Sequence, residues 1–154
     1  ISDALRFTGK KVSTTVLPEI EDCESPFLNA KLALSEGERV EGLHRLRFAN
    51  GIPFAVEYTY VPFKMFSNMM SVDFRNAGLY DYMSSQGHKP VYFQQYITVI
   101  HPQNPELRLL NISDPNEYIY KLNFTSADSN STILEYTESY INPQGIDISY
   151  EFEV

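Results

Sequence analysis

The chain has 154 residues and carries 20 acidic side chains against 12 basic ones, a formal charge of −8. That length suits one domain with a real core, and the charge argues against nucleic-acid binding through the chain's own surface. No apolar run reaches the length of a membrane span and nothing reads as a signal peptide. The single cysteine, Cys23, excludes an internal disulfide. Without a disulfide framework, the Asn-x-Ser/Thr triplets at Asn111, Asn123 and Asn130 read as chance matches to a permissive pattern. The expected compartment is the cytosol.

In chain order, Ile1-Ser2-Asp3 reads as a capped start to a short helical turn ending near Gly9. Lys11 to Ile20 is rich in Val and Thr and predicts a strand, with Pro18 placing it at an edge or at the strand's end. Ser25-Pro26 opens a helix, Ser as N-cap and Pro at the first helical position, and Gly37 follows its end. Arg39 to Pro62, RVEGLHRLRFANGIPFAVEYTYVP, is the strongest local signal in the chain. Two β-rich arms flank Asn50-Gly51, a pair suited to the positive φ of a tight hairpin turn.

Arg45 and Arg47, two residues apart on the first arm, project to one face about 7 Å from each other. Two guanidinium forks side by side suit a carboxylate or a phosphate. The turn then decides where Glu57 falls. A two-residue loop pairs Arg45 with Val56 and sets Glu57 opposite His44, on the other face. A three-residue loop moves the register by one, sets Glu57 opposite Leu43 and returns it to the arginine face. An acid beside two arginines is a structural ion pair or the polar rim of a pocket.

Beyond Pro62 the FKMFSNMMSVDF stretch has no clean period and reads as loop with helical turns. Asn76 to Gln86 predicts a helix with Asn76 as N-cap and Gly87 as its stop. Pro90 to His101 predicts a long strand, Pro105 to Leu110 a short helix, and Asn116 to Thr125 another strand. Asp128 to Ser131 is a tight turn from which Thr132 to Ile141 returns antiparallel, and Ile146 to Val154 alternates as a strand with one wet face. Six or seven strands with three short helices and mostly hairpin connections make an α+β domain on a mostly antiparallel sheet.

His44, His88, His101 and Cys23 are too scattered for a local metal motif, and there is no P-loop, dinucleotide fingerprint or nucleophile elbow. Glu135 and Glu138 face opposite sides of one strand, and Tyr136, Tyr140 and Tyr150 read as sheet-packing aromatics. Nothing supplies an activated nucleophile, and no cofactor is expected.

The order RLRFANGIPFAVEYTYVP, then GLY opening a helix, then EYTESY resembles the UTRA domain, the effector-binding domain of HutC-type regulators in the GntR family. The likeness covers nearly the whole chain, with the hairpin its most specific part. It implies the fold of chorismate lyase and one ligand-sensing domain over residues 1–154, behind an N-terminal winged helix-turn-helix that lies outside this sequence. It also implies a two-fold dimer, with DNA contacted only through that other domain and no membrane partner. Phosphosugar-binding members use residues matched here by Arg45, Arg47 and Glu57, a use that favours the three-residue loop. They also use a Ser-Leu-Tyr at a helix start, which is Gly78-Leu79-Tyr80 here, a serine near the domain's start matched by Ser2, and a late acid matched by Glu135. Gly78 lacks the serine hydroxyl, and Asn142-Pro143 replaces the family's Arg-Gly-Asp-like strand end. The expected effector is a small anionic metabolite, a sugar phosphate or a carboxylate. The alternatives are a chorismate-lyase-like enzyme using Glu57 as acid, and an interaction module without a small ligand.

Overall fold

The computed structural model describes residues 5–7, 11–18, 25–144 and 148–150. Six strands form one antiparallel sheet in the order β2-β3-β4-β7-β6-β5. They are β2 (Val12–Val16), β3 (Val40–Ala49), β4 (Ile52–Pro62), β5 (Tyr92–Ile100), β6 (Ile119–Ala127) and β7 (Ile133–Ile141). A separate pair joins β1 (Leu5–Phe7) to β8 (Ile148–Tyr150). Three short helices complete the described elements: α1 (Pro26–Lys31), α2 (Leu79–Ser85) and α3 (Glu106–Leu109). The α+β class and the antiparallel sheet agree with the sequence reading.

Local chemistry explains most boundaries. Ser25 caps α1, its hydroxyl accepting the Leu28 N–H at 3.4 Å, with Pro26 in the first turn. The stretch after Pro62 is turns with one short 3-10 segment, Met69–Ser71. Helix α2 starts later than predicted: Gly78, not Asn76, is its N-cap, because Asn76 and Ala77 complete a turn closed onto Asp73. Residues Leu5–Phe7 are a strand and not the expected helical turn; pairing with β8 overrides a weak local signal. Of the predicted last strand, Ile148–Tyr150 is described and the remainder lies outside the described residues.

The hairpin departs from both registers considered. Its loop is two residues, with Ala49 opposite Ile52, and Asn50 and Gly51 at φ 50° and 79° make a type I′ geometry. A β-bulge then follows: Phe48 pairs with Pro53 but Arg47 pairs with Ala55, leaving Phe54 as the extra residue. Arg45 therefore faces Glu57 directly. The bulge is held by Asn142, whose N–H donates to the Phe54 carbonyl at 2.8 Å. Both Phe54 and Ala55 are buried in the main core.

The two faces of the sheet are covered differently. The face that carries Leu43, Arg45 and Arg47 packs under α2 and the segment before it, through Phe66, Met69, Phe74, Leu79 and Met83. The opposite face, with Leu46 and Val56, is covered by Leu110 and Ile112 beside α3, and Val40 and Tyr136 by Leu28 of α1 and Leu32 at its C-cap.

Candidate functional site

Antiparallel pairing carries polar residues of four strands onto the face beneath α2. Arg45 stands opposite Glu57, and Glu57 opposite Ser139. Thr59 stands opposite Thr137, and Glu135 opposite Ser126. The alternation of β7 places Glu135, Thr137 and Ser139 on that face, with Tyr136, Glu138 and Tyr140 on the other. All of the first group are buried, as are Arg45, Arg47 and Glu57.

Glu57, 4% exposed, bridges both arginines. One carboxylate oxygen accepts from Arg45 at 3.0 Å and the other from Arg47 at 3.4 Å. Burial alone would raise the Glu57 carboxyl, but the two guanidiniums outweigh it and hold it below its ordinary value. Burial likewise pulls the Arg47 guanidinium down, against the attraction of Glu57. At the other end, Thr59 and Thr137 hydroxyls lie 3.0 Å apart, and Thr137 donates to Glu135 Oε2 at 2.8 Å. Since Thr137 spends its proton on Glu135, Thr59 donates to Thr137, giving a one-way chain into the buried acid.

What distinguishes this face is the set of buried polar atoms that find no partner among the described residues: Arg45 Nε, Arg47 Nε, Ser139 Oγ, Glu135 Oε1, Ser126 Oγ and Gln95 Nε2. Gln95 belongs to the same face, because it pairs with Phe124 in β6. Buried polar groups are rarely left unsatisfied. Six of them lie on one face of one sheet.

The residues expected from sequence fall as follows. Arg45, Arg47, Glu57 and Glu135 share the polar face. Tyr80 lies at its roof, its ring 5.7 Å from Phe93 and stacked at 6.5 Å on Phe124. Gly78 is exposed at the start of α2, and a Cβ there would sit 3.3 Å from the Asp81 carboxylate. The start of this seven-residue helix thus already carries an acid of its own. Ser2 lies outside the described residues. The sequence reading missed Ser126, Ser139, Thr59, Thr137 and Gln95. The signal was present in β7, where Glu135, Thr137 and Ser139 recur at every second position between tyrosines, but the partners on β4, β5 and β6 come from pairings distant in sequence.

The opposite face is packed around its tyrosines. Glu138 accepts from Tyr136 at 2.8 Å and from Tyr140 at 3.3 Å, and burial with that carboxylate pushes both phenols well up. His44 is buried there, edge-on to Tyr58 and Tyr60. Burial lowers its pKa, and its Nε2 has no partner among the described residues. Among the described residues no cluster of His, Cys, Asp and Glu could hold a metal ion, and no helix is long and apolar enough to cross a membrane.

The architecture is an antiparallel sheet with a buried polar face beneath a short helix, and the comparisons specify the family. A model described as the UTRA domain matches residues 8–146, so the chain belongs to the UTRA family. Its fold is shared by solved structures of GntR-family regulators. PhnF from Mycobacterium smegmatis is 22% identical with a TM-score of 0.81, over 88% of this chain and 60% of that one. The ligand-binding domain of a GntR-family transcriptional regulator from Bordetella bronchiseptica is 16% identical with a TM-score of 0.81, over 98% and 96% of the two chains. The C-terminal domain of the histidine utilization repressor from Pseudomonas syringae pv. tomato str. DC3000 is 19% identical with a TM-score of 0.80, over 94% and 100%. No curated protein matches.

Proposed function

We propose that the chain is the effector-binding part of a transcription regulator and that its effector is a small anionic metabolite seated on the polar face. The observation that carries this reading is the row of buried polar atoms without a partner among the described residues, from Arg45 and Arg47 through Ser139 to Glu135 and Ser126. Two guanidiniums share one carboxylate, which leaves one positive charge at the arginine end. That excess suits a single carboxylate or a singly charged phosphate ester. Glu135 lies about 13 Å further along β7 from Ser139. Its free oxygen accepts a hydrogen bond from a ligand hydroxyl or ammonium, and Tyr80 closes the site above. An effector of this kind regulates by favouring one arrangement of a two-fold dimer, whose DNA contacts belong to a further, N-terminal domain.

Glu57 speaks against the enzymatic alternative. A carboxyl held below its ordinary value by two arginines is a poor proton donor near neutral pH, so chorismate turnover is expected to be absent.

A thermal-shift screen against sugar phosphates, dicarboxylates and amino-acid breakdown products tests the proposal, with each hit repeated on Arg47→Ala. A ligand at 100-fold over its Kd adds about 2.7 kcal/mol. A shift that disappears in the variant supports the site. One that survives places the ligand elsewhere, and turnover of chorismate would replace the sensor by an enzyme.

A further inference from the structure

The two acids of the candidate site are provided for differently. Glu57 has a guanidinium on each carboxylate oxygen. Glu135 is 1% exposed, and among the described residues its only partner is the Thr137 hydroxyl on Oε2, with nothing on Oε1. A buried carboxylate held by one neutral hydroxyl lacks a counter-charge, and such groups are strongly disfavoured unless something pairs with them. Ser126 stands directly opposite Glu135 in β6, is equally buried, and its Oγ also has no partner among the described residues. Two acceptors thus stand side by side with no donor on either. Aromatic rings adjoin them. Phe93 stands opposite Ser126 and Phe124 opposite Thr137, their rings 5.9 Å apart, and Tyr80 lies over both. The site is therefore a dipole: two guanidiniums to one acid at the Arg45 end, and an acid without a cation beside aromatic rings at the other.

We infer that the effector is a zwitterion, with its negative group at Arg45 and Arg47 and, several bonds away, a primary ammonium between Glu135 and Ser126. This rests on the effector reading above and narrows it from anions at large to dipolar molecules. An effector carrying negative charge alone would satisfy the arginines and leave Glu135 buried without a counter-charge. A hydroxyl at that end would bring one donor and no charge. An ammonium brings three donors and no acceptor, which matches the free oxygens of Glu135 and Ser126. It also gains from the faces of neighbouring aromatic rings, where a hydroxyl does not. The spacing sets the kind of zwitterion. Ser139, opposite Glu57, and Glu135 are four residues apart on β7, about 13 Å by strand rise. Arginine and glutamate side chains reach across part of that distance, but the adjoining charges of an α-amino acid head group cannot span the rest. The two groups of the effector are instead joined by a chain of several carbons, as in an ω-amino acid.

Thermal shifts test this with a ladder of ω-amino acids from 4-aminobutanoate to 8-aminooctanoate, each beside the ω-hydroxy acid and the dicarboxylate of the same length. At the matching length the amino acid is expected to bind roughly tenfold more tightly than the hydroxy acid, because its hydrogen bonds to the buried acid are charged. The dicarboxylate, which would set a second negative charge against Glu135, should give no shift. Arg47→Ala should abolish the amino-acid shift. Glu135→Gln should weaken amino-acid binding roughly 100-fold, as loss of one member of a buried charge pair does, and leave the hydroxy acid nearly unchanged, with a native circular-dichroism spectrum. If Glu135→Gln fails to fold, the preference of the wild-type chain for amino over hydroxy acid decides the matter. A hydroxy acid, dicarboxylate or sugar phosphate that binds as tightly as any amino acid of the ladder, and is lost in Arg47→Ala, overturns the ammonium site and leaves the effector reading standing. Amino-acid binding that survives Glu135→Gln overturns the ammonium site as well. No shift from any of these compounds at millimolar concentration overturns both readings.

Discussion

Glu57 stands directly opposite Arg45 although the two-residue turn that joins their strands would by itself set it opposite His44. The single extra residue, Phe54, corrects the register by one and moves the carboxylate from the tyrosine face to the arginine face. The polar face therefore depends on a bulge as much as on its ionic residues.

Glu57→Gln leaves two buried guanidiniums without a counter-charge and is expected to lower stability by about 3–5 kcal/mol, read as a drop in the urea midpoint. Replacing all three residues together by Met and Leu should recover most of that loss. The pH dependence has a definite sign. The folded carboxyl lies below its ordinary value of 4.5. Its stabilisation is thus complete above the unfolded value and is lost as pH falls through the lower, folded one. The acid limb of stability against pH should be less steep in Glu57→Gln.

Ser139→Ala separates binding from architecture. The Ser139 hydroxyl is fully buried and has no partner among the described residues, so removing it should leave the unliganded domain as stable, or steadier by up to about 1 kcal/mol. If a ligand uses that hydroxyl, the thermal shift it produces should shrink in the same variant. A domain that loses stability without ligand would make Ser139 structural and remove it from the site.

His44→Phe tests the buried imidazole. Its folded pKa lies below the ordinary 6.5, so as pH falls past 6.5 the unfolded chain takes up a proton first and stability declines. One such group contributes a slope of at most about 1.4 kcal/mol per pH unit. Phenylalanine keeps the edge-on contacts with Tyr58 and Tyr60 and should flatten urea midpoints measured between pH 7 and 5.

Asn50 holds more than its turn. Besides adopting φ 50°, its side-chain oxygen accepts the Lys11 N–H at 3.0 Å and its own N–H donates to the Lys11 carbonyl at 2.9 Å. Asn50→Gly keeps the backbone geometry and should cost about 1 kcal/mol for the lost bond. Asn50→Ala adds the left-handed penalty of about 1–2 kcal/mol, so its melting temperature should fall further than that of the glycine variant.

Much of this was legible from local signals. The Asn50-Gly51 hairpin, the Ser25-Pro26 helix start, the long β5 and the Glu135/Glu138 split follow from turn chemistry and period-two alternation. The bulge was not, because Phe54 is one more apolar residue in an apolar arm and its displacement is secured by Asn142, 88 residues away. The α2 cap was misplaced because Asn76 is a good capping residue that the structure uses in a preceding turn. Three of the six atoms without a partner among the described residues belong to residues that sequence reasoning did not single out, Ser139, Ser126 and Gln95, since their convergence needs the order β4-β7-β6-β5.

Phe93 belongs to two neighbourhoods at once. It lies on the outer strand, half exposed, and its ring sits 5.7 Å from Tyr80 and 5.9 Å from Phe124. A metabolite seated as proposed that displaced Tyr80 would reach the outer edge of the sheet through Phe93, and in the proposed dimer the two events would be coupled. Thermodynamic reciprocity makes the traffic two-way: metabolite affinity should change with protein concentration, and dilution past the dimer Kd should change the measured binding constant by the same factor by which saturating metabolite changes self-association. The abundance of the protein would then help to set the metabolite level to which it responds.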